Sequence, residues 1–424
     1  MDANEPQKGR SGPLVGYRVL ELGSTAAGPF CARLLADFGA EVIKVEAPEG
    51  DPIRKLGKQV DGKSLYAASI CRNKSIVSLD LRKPAAQALL KKLMPHFDAV
   101  VENFRPGTLE KWGLGYEQLK ELKSDLVLIR ISGFGQNGPY KDRPGYGVIG
   151  EAMSGLRHLI GDPDRPPSRV AMPLTDYITG LYAAMGTLLA LLAREKHGNG
   201  QTVDVALIDA AFSFMESYVP SYEKTGAIGM RTGSRLPNSA PNNLYVTKDE
   251  KFIHIAALAD NVYRRLVTAM GMPHLAHDAR FAEQNVRSAH EEEIDAIIEG
   301  WTRSYDLEEL ERLLDAAGVP ASRIFTMEDV FRDSYYRERE MLLSVPDDDL
   351  KAVTLAGVVP KLSATPGNVV WSGRRTGQDT RTVLKRFSDL TDDQIDQLER
   401  DGVVFCDRSS NSTFPKVADV ERSA

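Results

Sequence analysis

Cysteine is scarce in this 424-residue chain: Cys31, Cys71 and Cys406 stand far apart, with no paired spacing. That scarcity excludes a disulfide framework and a cysteine zinc site, and it fits a reducing compartment, so a cytoplasmic location is expected. An excess of one charge is missing too. The formal net charge is −6, with Lys and Arg scattered among acids, which leaves no electrostatic footprint for nucleic acid. No run of about eighteen apolar residues stands out. Residues 1–13 are polar without an apolar signal core, so neither a membrane span nor a secretory signal is expected. None of the seven histidines has metal-ligand spacing with another, His274 and His277 lie in a loop-like stretch, and no G-x-S-x-G nucleophile motif occurs. A metal site is not expected. Repeats and low-complexity tracts are absent.

What is present is an ordinary globular composition, 42% hydrophobic and 26% charged, on a chain too long for one core. Two domains, or a large one with a small insertion, are the first expectation. Through the first half, apolar runs that read as strands (17–22, 40–46, 75–81, 98–101, 125–131) alternate with amphipathic helices (29–38, 85–93). This alternation predicts an α/β fold with a parallel, doubly wound sheet. The strands empty into polar or glycine-rich loops at 23–28, 102–107 and 132–139, which together define the expected binding cleft. After about residue 220 the rhythm changes. Residues 243–247 and 252–256 read as an antiparallel hairpin, followed by helices beginning near Asp260, Ser288 and Asp306, which predicts a separate α+β domain.

Two local features bear on chemistry. Gly23-Ser-Thr-Ala-Ala-Gly28, with Glu46 some twenty residues on, resembles a dinucleotide-binding turn but lacks the middle glycine that lets a pyrophosphate approach the backbone. A nicotinamide site is therefore set aside, and Glu46 reads as a solvated strand end. The same loops carry Arg54, Arg72, Lys74, Arg105 and Lys111, which either hold an elongated phosphorylated ligand or form a solvated rim. The second feature is Asp176, at the entrance to the chain's longest apolar helical run, 181–194. A carboxylate there is favoured by the positive end of the helix dipole, which suits a nucleophile and equally a helix cap.

Beyond these local features, a series of ordered segments resembles the class III CoA-transferases, the CaiB/BaiF family: Leu20-Glu-Leu-Gly-Ser-Thr-Ala-Ala-Gly-Pro29, Gly39-Ala-Glu-Val-Ile-Lys-Val-Glu46, Arg72-Asn-Lys-Ser-Ile-Val-Ser-Leu-Asp-Leu81, Val101-Glu-Asn-Phe-Arg-Pro-Gly107, Gly133-Phe-Gly-Gln-Asn-Gly-Pro-Tyr140 and Pro173-Leu-Thr-Asp176. The resemblance runs from about residue 14 to 404. It implies a large Rossmann-like domain from residues 14–220 and 335–404, a small inserted α+β domain at 225–330 and an interlocked homodimer; the polar stretch beyond it, 405–424, reads from its composition as a loose tail. It also implies transfer of CoA from an acyl-CoA to a free carboxylic acid through an aspartyl intermediate, with no tightly bound cofactor and no membrane or nucleic-acid partner.

Carried over residue by residue, the resemblance makes Asp176 the nucleophile. It places CoA contacts at Ala26, Ala27, Arg72, Asn73, Asn103, Phe104, Arg105, Lys111 and Tyr146. The chain departs from the formyl-CoA transferase pattern at Ala26, Ala47 and Lys111, and residues 233–242, with Arg235, stand where those enzymes have a glycine-rich flap. A short or dicarboxylic acid is expected rather than formate or oxalate. The related α-methylacyl-CoA racemases are the alternative, but their His–Asp proton-transfer pair falls on Tyr146 and Gly147, and tyrosine, with a pKa near about 10, is a poor base. A non-catalytic CoA-binding protein is the third reading.

Overall fold

A computed structural model describes residues 9–409. Within that span the chain forms two compact units. The larger contains the described residues up to 154, 170–215 and those from 335 onward, and the smaller contains 155–169 and 216–334. The segment 155–169, expected in the large domain, thus belongs to the smaller unit.

The larger unit is built on strands β1 (Arg18–Glu21), β2 (Glu41–Glu46), β5 (Lys74–Leu79), β6 (Ala99–Glu102), β7 (Val127–Ser132) and β8 (Thr202–Ala206), with a small hairpin of β3 (Gln59–Val60) and β4 (Lys63–Ser64) between β2 and β5. The strand order is β5-β2-β1-β6-β7-β8, all parallel, and the short strand Val404–Phe405 adds antiparallel to β5 at the edge. Leu20 pairs with Ile43 on one side and Val100 on the other, so the apolar residues align across the sheet. Alternation then sorts them onto two faces. Leu20, Ile43 and Val100 pack with Leu89, Leu90 and Leu93 of helix α3 (Pro84–Leu93). Val19, Val42 and Ala99 pack on the other face with Leu35 of α1 (Ala27–Asp37) and Ala183 of α7 (Leu174–His197). The remaining helices of this unit that bear on the site are α2 (Leu65–Ile70), α4 (Thr108–Lys111), α5 (Tyr116–Leu122), α6 (Gly147–Met153) and α8 (Leu207–Phe212).

The helix α7 extends well beyond the expected run at 181–194. Pro173 stands at its N-cap without a side-chain cap bond, so Asp176 is the third residue of the first turn and not the cap. The helix starts directly after Pro173, whose ring leaves no N–H to be satisfied at the helix entrance. Gly180 lets α7 approach α1 closely: a Cβ there would stand 2.8 Å from the Ala27 carbonyl oxygen and 2.9 Å from Phe30 Cδ1. Overpacking of this kind costs about 1–3 kcal/mol. By length and apolarity α7 could cross a membrane, contrary to the expectation that no such run exists, but it covers the sheet as a core helix does. Its opposite face carries Leu181, Met185, Leu188, Leu189 and Leu192, all exposed.

The predicted tail is also corrected in part. Phe405 lies in the edge strand, Cys406 is buried with its N–H donating to Glu399, and Asp407 pairs with Arg375. Residues 410–424 lie outside the described span. In the smaller unit, β9 (Asn242–Val246) and β10 (Phe252–Ala256) form the expected antiparallel hairpin, and β11 (Ala321–Arg323) adds a third strand, antiparallel to β10. Its helices Asp260–Ala269, Glu291–Thr302 and Leu307–Ala316 close a core around Tyr245, Ile253, Phe281 and Leu310.

Candidate active site

The loops after β1, β2 and β5 enclose a cavity of about 200 Å³ at the carboxyl ends of those strands, where a doubly wound sheet binds its ligand. Gly23 and Ser24 line it from the first loop, Ala47 and Gly50 from the second, and Asp80 and Arg82 from the third. Phe104 and Trp112 complete the wall as an edge-to-face pair with centroids 5.2 Å apart. Phe104 is placed by the buried Glu102, which accepts the Phe104 N–H at 2.8 Å and pairs with Arg130 at 2.8 Å. Burial pushes the Glu102 carboxyl up to about 7 despite the Arg130 charge.

Buried ions fix the first loop. Lys44 Nζ, fully enclosed, meets Glu21 at 2.9 Å and Asp51 at 2.8 Å and donates to the Gly23 carbonyl at 2.6 Å. Lys74 Nζ, equally enclosed, meets the other Glu21 oxygen at 2.6 Å and donates to the Pro29 carbonyl at 2.7 Å. Asp51 accepts the N–H of Thr25, a left-handed residue at φ 68°, and that of Ile53. Asn103 accepts from Ser24 N–H at 2.8 Å and donates to Ser24 O at 2.9 Å. Two cations and two carboxylates, Lys44, Lys74, Glu21 and Asp51, balance one another, which makes enclosure tolerable. Burial opposes the Lys44 charge, but Glu21, Asp51 and Glu46 outweigh it and raise its pKa.

This arrangement sorts the expected CoA contacts. Phe104 faces the cavity, Asn103 clamps its rim, and Ala26 and Ala27 sit buried where the clamped loop enters α1. Arg105 and Lys111 are exposed and flank the lining residues Phe104 and Trp112 in sequence. Arg72 and Asn73 are not brought to the cavity. Both side chains are buried against Asp37, Arg72 at 2.6 Å and Asn73 at 3.0 Å, because an enclosed carboxylate at the end of α1 needs donors. A side-chain CoA contact from either is corrected. Glu46 is corrected as well: it is buried, pairs with Arg54 at 2.7 Å and accepts from Thr376, so it is no solvated strand end. Arg54 and Lys74, read as possible phosphate ligands or rim, are thereby committed to carboxylates. In the smaller unit, Arg235 pairs with Asp295 at 2.8 Å.

Asp176 is half-buried in the first turn of α7, and its carboxylate lies against the start of α6. A Cβ on Gly147 would collide with Oδ2 and stand 2.9 Å from Cγ. A side chain at position 147 would thus displace the Asp176 carboxylate, and Tyr146, beside it, is 73% exposed. Next to Asp176 in sequence, the Tyr177 hydroxyl donates to the Tyr66 hydroxyl at 3.0 Å, and the Tyr177 ring packs on Phe30 at 4.7 Å. Trp112, Asp51 and Tyr66 were not singled out from the sequence, and Gly147 was noted only as lacking the racemase aspartate. Trp112 adjoins Lys111, a legible hint; nothing local marks Asp51 or Tyr66. Among the described residues no cluster of His, Cys, Asp and Glu could hold a metal ion.

Comparison with known proteins agrees with this geometry. The profile of CoA-transferase family III matches residues 14–380. The chain is 47% identical to the succinyl-CoA–D-citramalate CoA-transferase of Chloroflexus aurantiacus, over 92% of this chain and 98% of that one. It is 35% identical to the succinate–glutarate CoA-transferase of Agrobacterium fabrum, over 90% and 97%. A crystal structure of a CaiB/BaiF family protein from Brucella suis superposes with a TM-score of 0.80 at 32% identity, covering 89% of this chain and 100% of that one. A family profile spanning most of the chain, joined to end-to-end relatives, establishes that the protein belongs to CoA-transferase family III and is a class III CoA-transferase.

Proposed function

We propose that the protein moves CoA from succinyl-CoA to a second dicarboxylic acid, with Asp176 as the covalent nucleophile. The observation that carries this reading is the Asp176 carboxylate in the first turn of α7, set in the space that Gly147 leaves empty. One Asp176 oxygen attacks the thioester carbonyl, and the C–S bond breaks to give a mixed anhydride and CoA thiolate. The thiolate then attacks the aspartyl carbonyl, which releases the first acid and leaves an aspartyl-CoA thioester. The incoming carboxylate attacks that thioester and expels the thiolate again. Attack of the thiolate on the new acyl carbonyl forms the product acyl-CoA and restores Asp176.

A carboxylate needs no general base, so the protein's task is placement and the exclusion of water. Phe104 and Trp112 offer an apolar wall to the CoA, with Arg105 and Lys111 as cations for its phosphates. The dicarboxylate preference is taken from the relatives, which act on citramalate and glutarate. A homodimer fits the same reading, because the exposed stripe from Leu181 to Leu192 on α7 is a face that a second copy would cover.

The test is trapping. Incubation with succinyl-CoA followed by hydroxylamine or borohydride and peptide mass spectrometry is expected to modify Asp176. An unmodified Asp176 in protein that exchanges CoA would overturn the mechanism. Sedimentation at micromolar concentration checks the dimer, and a monomer there would remove the role given to the α7 stripe.

A further inference from the structure

Arg33 is a cation without an adequate partner. It projects from α1 with its side chain 15% exposed, and its ion pair with Asp37 is long, 3.4 Å from Nε to Oδ2. That Nε is a buried donor with no hydrogen-bond acceptor among the described residues. Asp37 is already engaged: it accepts from Arg72 Nε at 3.0 Å, from Arg72 Nη2 at 2.6 Å and from Asn73 Nδ2 at 3.0 Å. Two guanidinium groups share one carboxylate. One positive charge is left over in a mostly enclosed place, where an uncompensated ion is costly.

The groups around Arg33 lead toward the nucleophile. Its guanidinium lies 4.7 Å from the Phe30 ring centroid, Phe30 packs on Tyr177, and Tyr177 donates to Tyr66. Tyr177 directly follows Asp176 in the first turn of α7. Burial lowers the Arg33 pKa to about 10, assisted by Arg72, while Asp37, Tyr177 and Tyr66 act the other way. Burial raises the Tyr66 phenol, followed by the Tyr177 bond and the Tyr177 and Asp176 charges. Because Tyr66 accepts from Tyr177, its own proton is free to be given elsewhere, and accepting one bond strengthens the one it gives. A guanidinium with spare N–H groups and a phenol with a spare O–H make a receptor for a carboxylate.

We propose that Arg33, with the Tyr66 hydroxyl that Tyr177 orients, holds the far carboxylate of a dicarboxylic acyl group while its near end reacts at Asp176. This rests on the transfer reading above and adds to it a residue that selects the acid. It gives the excess charge of Arg33 a use: the cation is neutralised only when a dicarboxylic substrate is bound. A monocarboxylic acyl group of the same length would leave it unpaired.

The test compares succinyl-CoA with butyryl-CoA, which has the same four-carbon chain without the terminal carboxylate, at one fixed acid acceptor. The readout is the ratio of their kcat/KM values. In Arg33→Gln the preference for succinyl-CoA is expected to fall at least about tenfold, the worth of one charge-assisted contact, and Arg33→Lys is expected to restore part of it. An unchanged ratio in folded Arg33→Gln overturns the proposal. If that variant does not fold, Tyr66→Phe and Tyr177→Phe decide, since each removes one hydroxyl: a ratio reduced in Tyr66→Phe supports it, and a ratio unchanged in both overturns it. Wild-type protein that uses both donors equally overturns this inference and leaves transfer through Asp176 standing. Wild-type protein that moves CoA from neither donor sinks the transfer reading itself, and this inference with it.

Discussion

Two helix starts meet the chemistry in opposite ways. The turn into α1 is held from outside: Lys44 on Gly23, Asn103 on Ser24, Asp51 on Thr25 and Lys74 on Pro29 fix it residue by residue. The start of α7 has no side-chain cap, and its one charged group, Asp176, relies on a side chain that is missing at Gly147. The first is a stretch of backbone held at several points, the second a single carboxylate seated against the Gly147 backbone. On the transfer reading proposed above, a surface that binds the same CoA in every half-reaction would gain from being preset, because ordering it at each turnover would cost binding energy.

The sharpest way to break this comparison is at Asp176. Asp176→Asn keeps the shape and removes the nucleophilic charge, so exchange of labelled CoA between thioester and acid is expected to fall at least about 10⁴-fold, while CoA binding persists. A loss under about tenfold would mean that the group at the start of α7 is structural. Next in size is Lys44→Met. Two buried carboxylates, Glu21 and Asp51, would lose a shared cation, and breaking a buried ion pair costs about 3–5 kcal/mol. Denaturant unfolding reads this directly. A change under about 1 kcal/mol would show that the α1 turn is not held by its ions. Third is Gly147→Ala, which forces the Asp176 carboxylate to move. A displacement of about 1 Å can cost about 10²-fold in rate, so kcat is expected to fall by that order with the CoA Kd little changed. Wild-type kcat in this variant would mean that the observed carboxylate position is not the reacting one.

The sequence made the parallel sheet legible because buried strands such as β2 and β7 are short apolar runs between polar loops, and their period carries through. It made Asp176 a candidate by position. It misplaced Arg72 and Asn73 because a cation near a glycine-rich loop looks the same whether it meets a ligand or a buried carboxylate. Asp37, 35 residues away in sequence from Arg72, decides that, and only the packing of α1 brings them together. The edge strand at Val404–Phe405 was missed for a similar reason: two residues have no period, and their pairing with β5 is long-range. At Gly147 the missing aspartate was legible, but the contact with the Asp176 carboxylate was not, because it depends on how α6 and α7 pack.

The smallest effect bears on how the α1 turn is held. Burial pushes the Asp51 pKa up, but the Lys44 charge and the N–H groups of Ile53 and Thr25 outweigh it, so the net shift is downward from 3.8. A carboxyl depressed in the folded state adds stability that is present above its unfolded value and lost as pH falls through the folded one. Wild-type protein should therefore be more stable than Asp51→Asn at pH 6, and the gap should narrow as pH drops below 3.8, because acid neutralises in the wild type the charge that the variant lacks throughout. Urea midpoints for both proteins from pH 6 down to the acid limit measure the gap. If it stays constant across that range, the turn into α1 is held by shape and neutral hydrogen bonds, and its contrast with the start of α7 is no longer one between a set of buried charges and a single carboxylate.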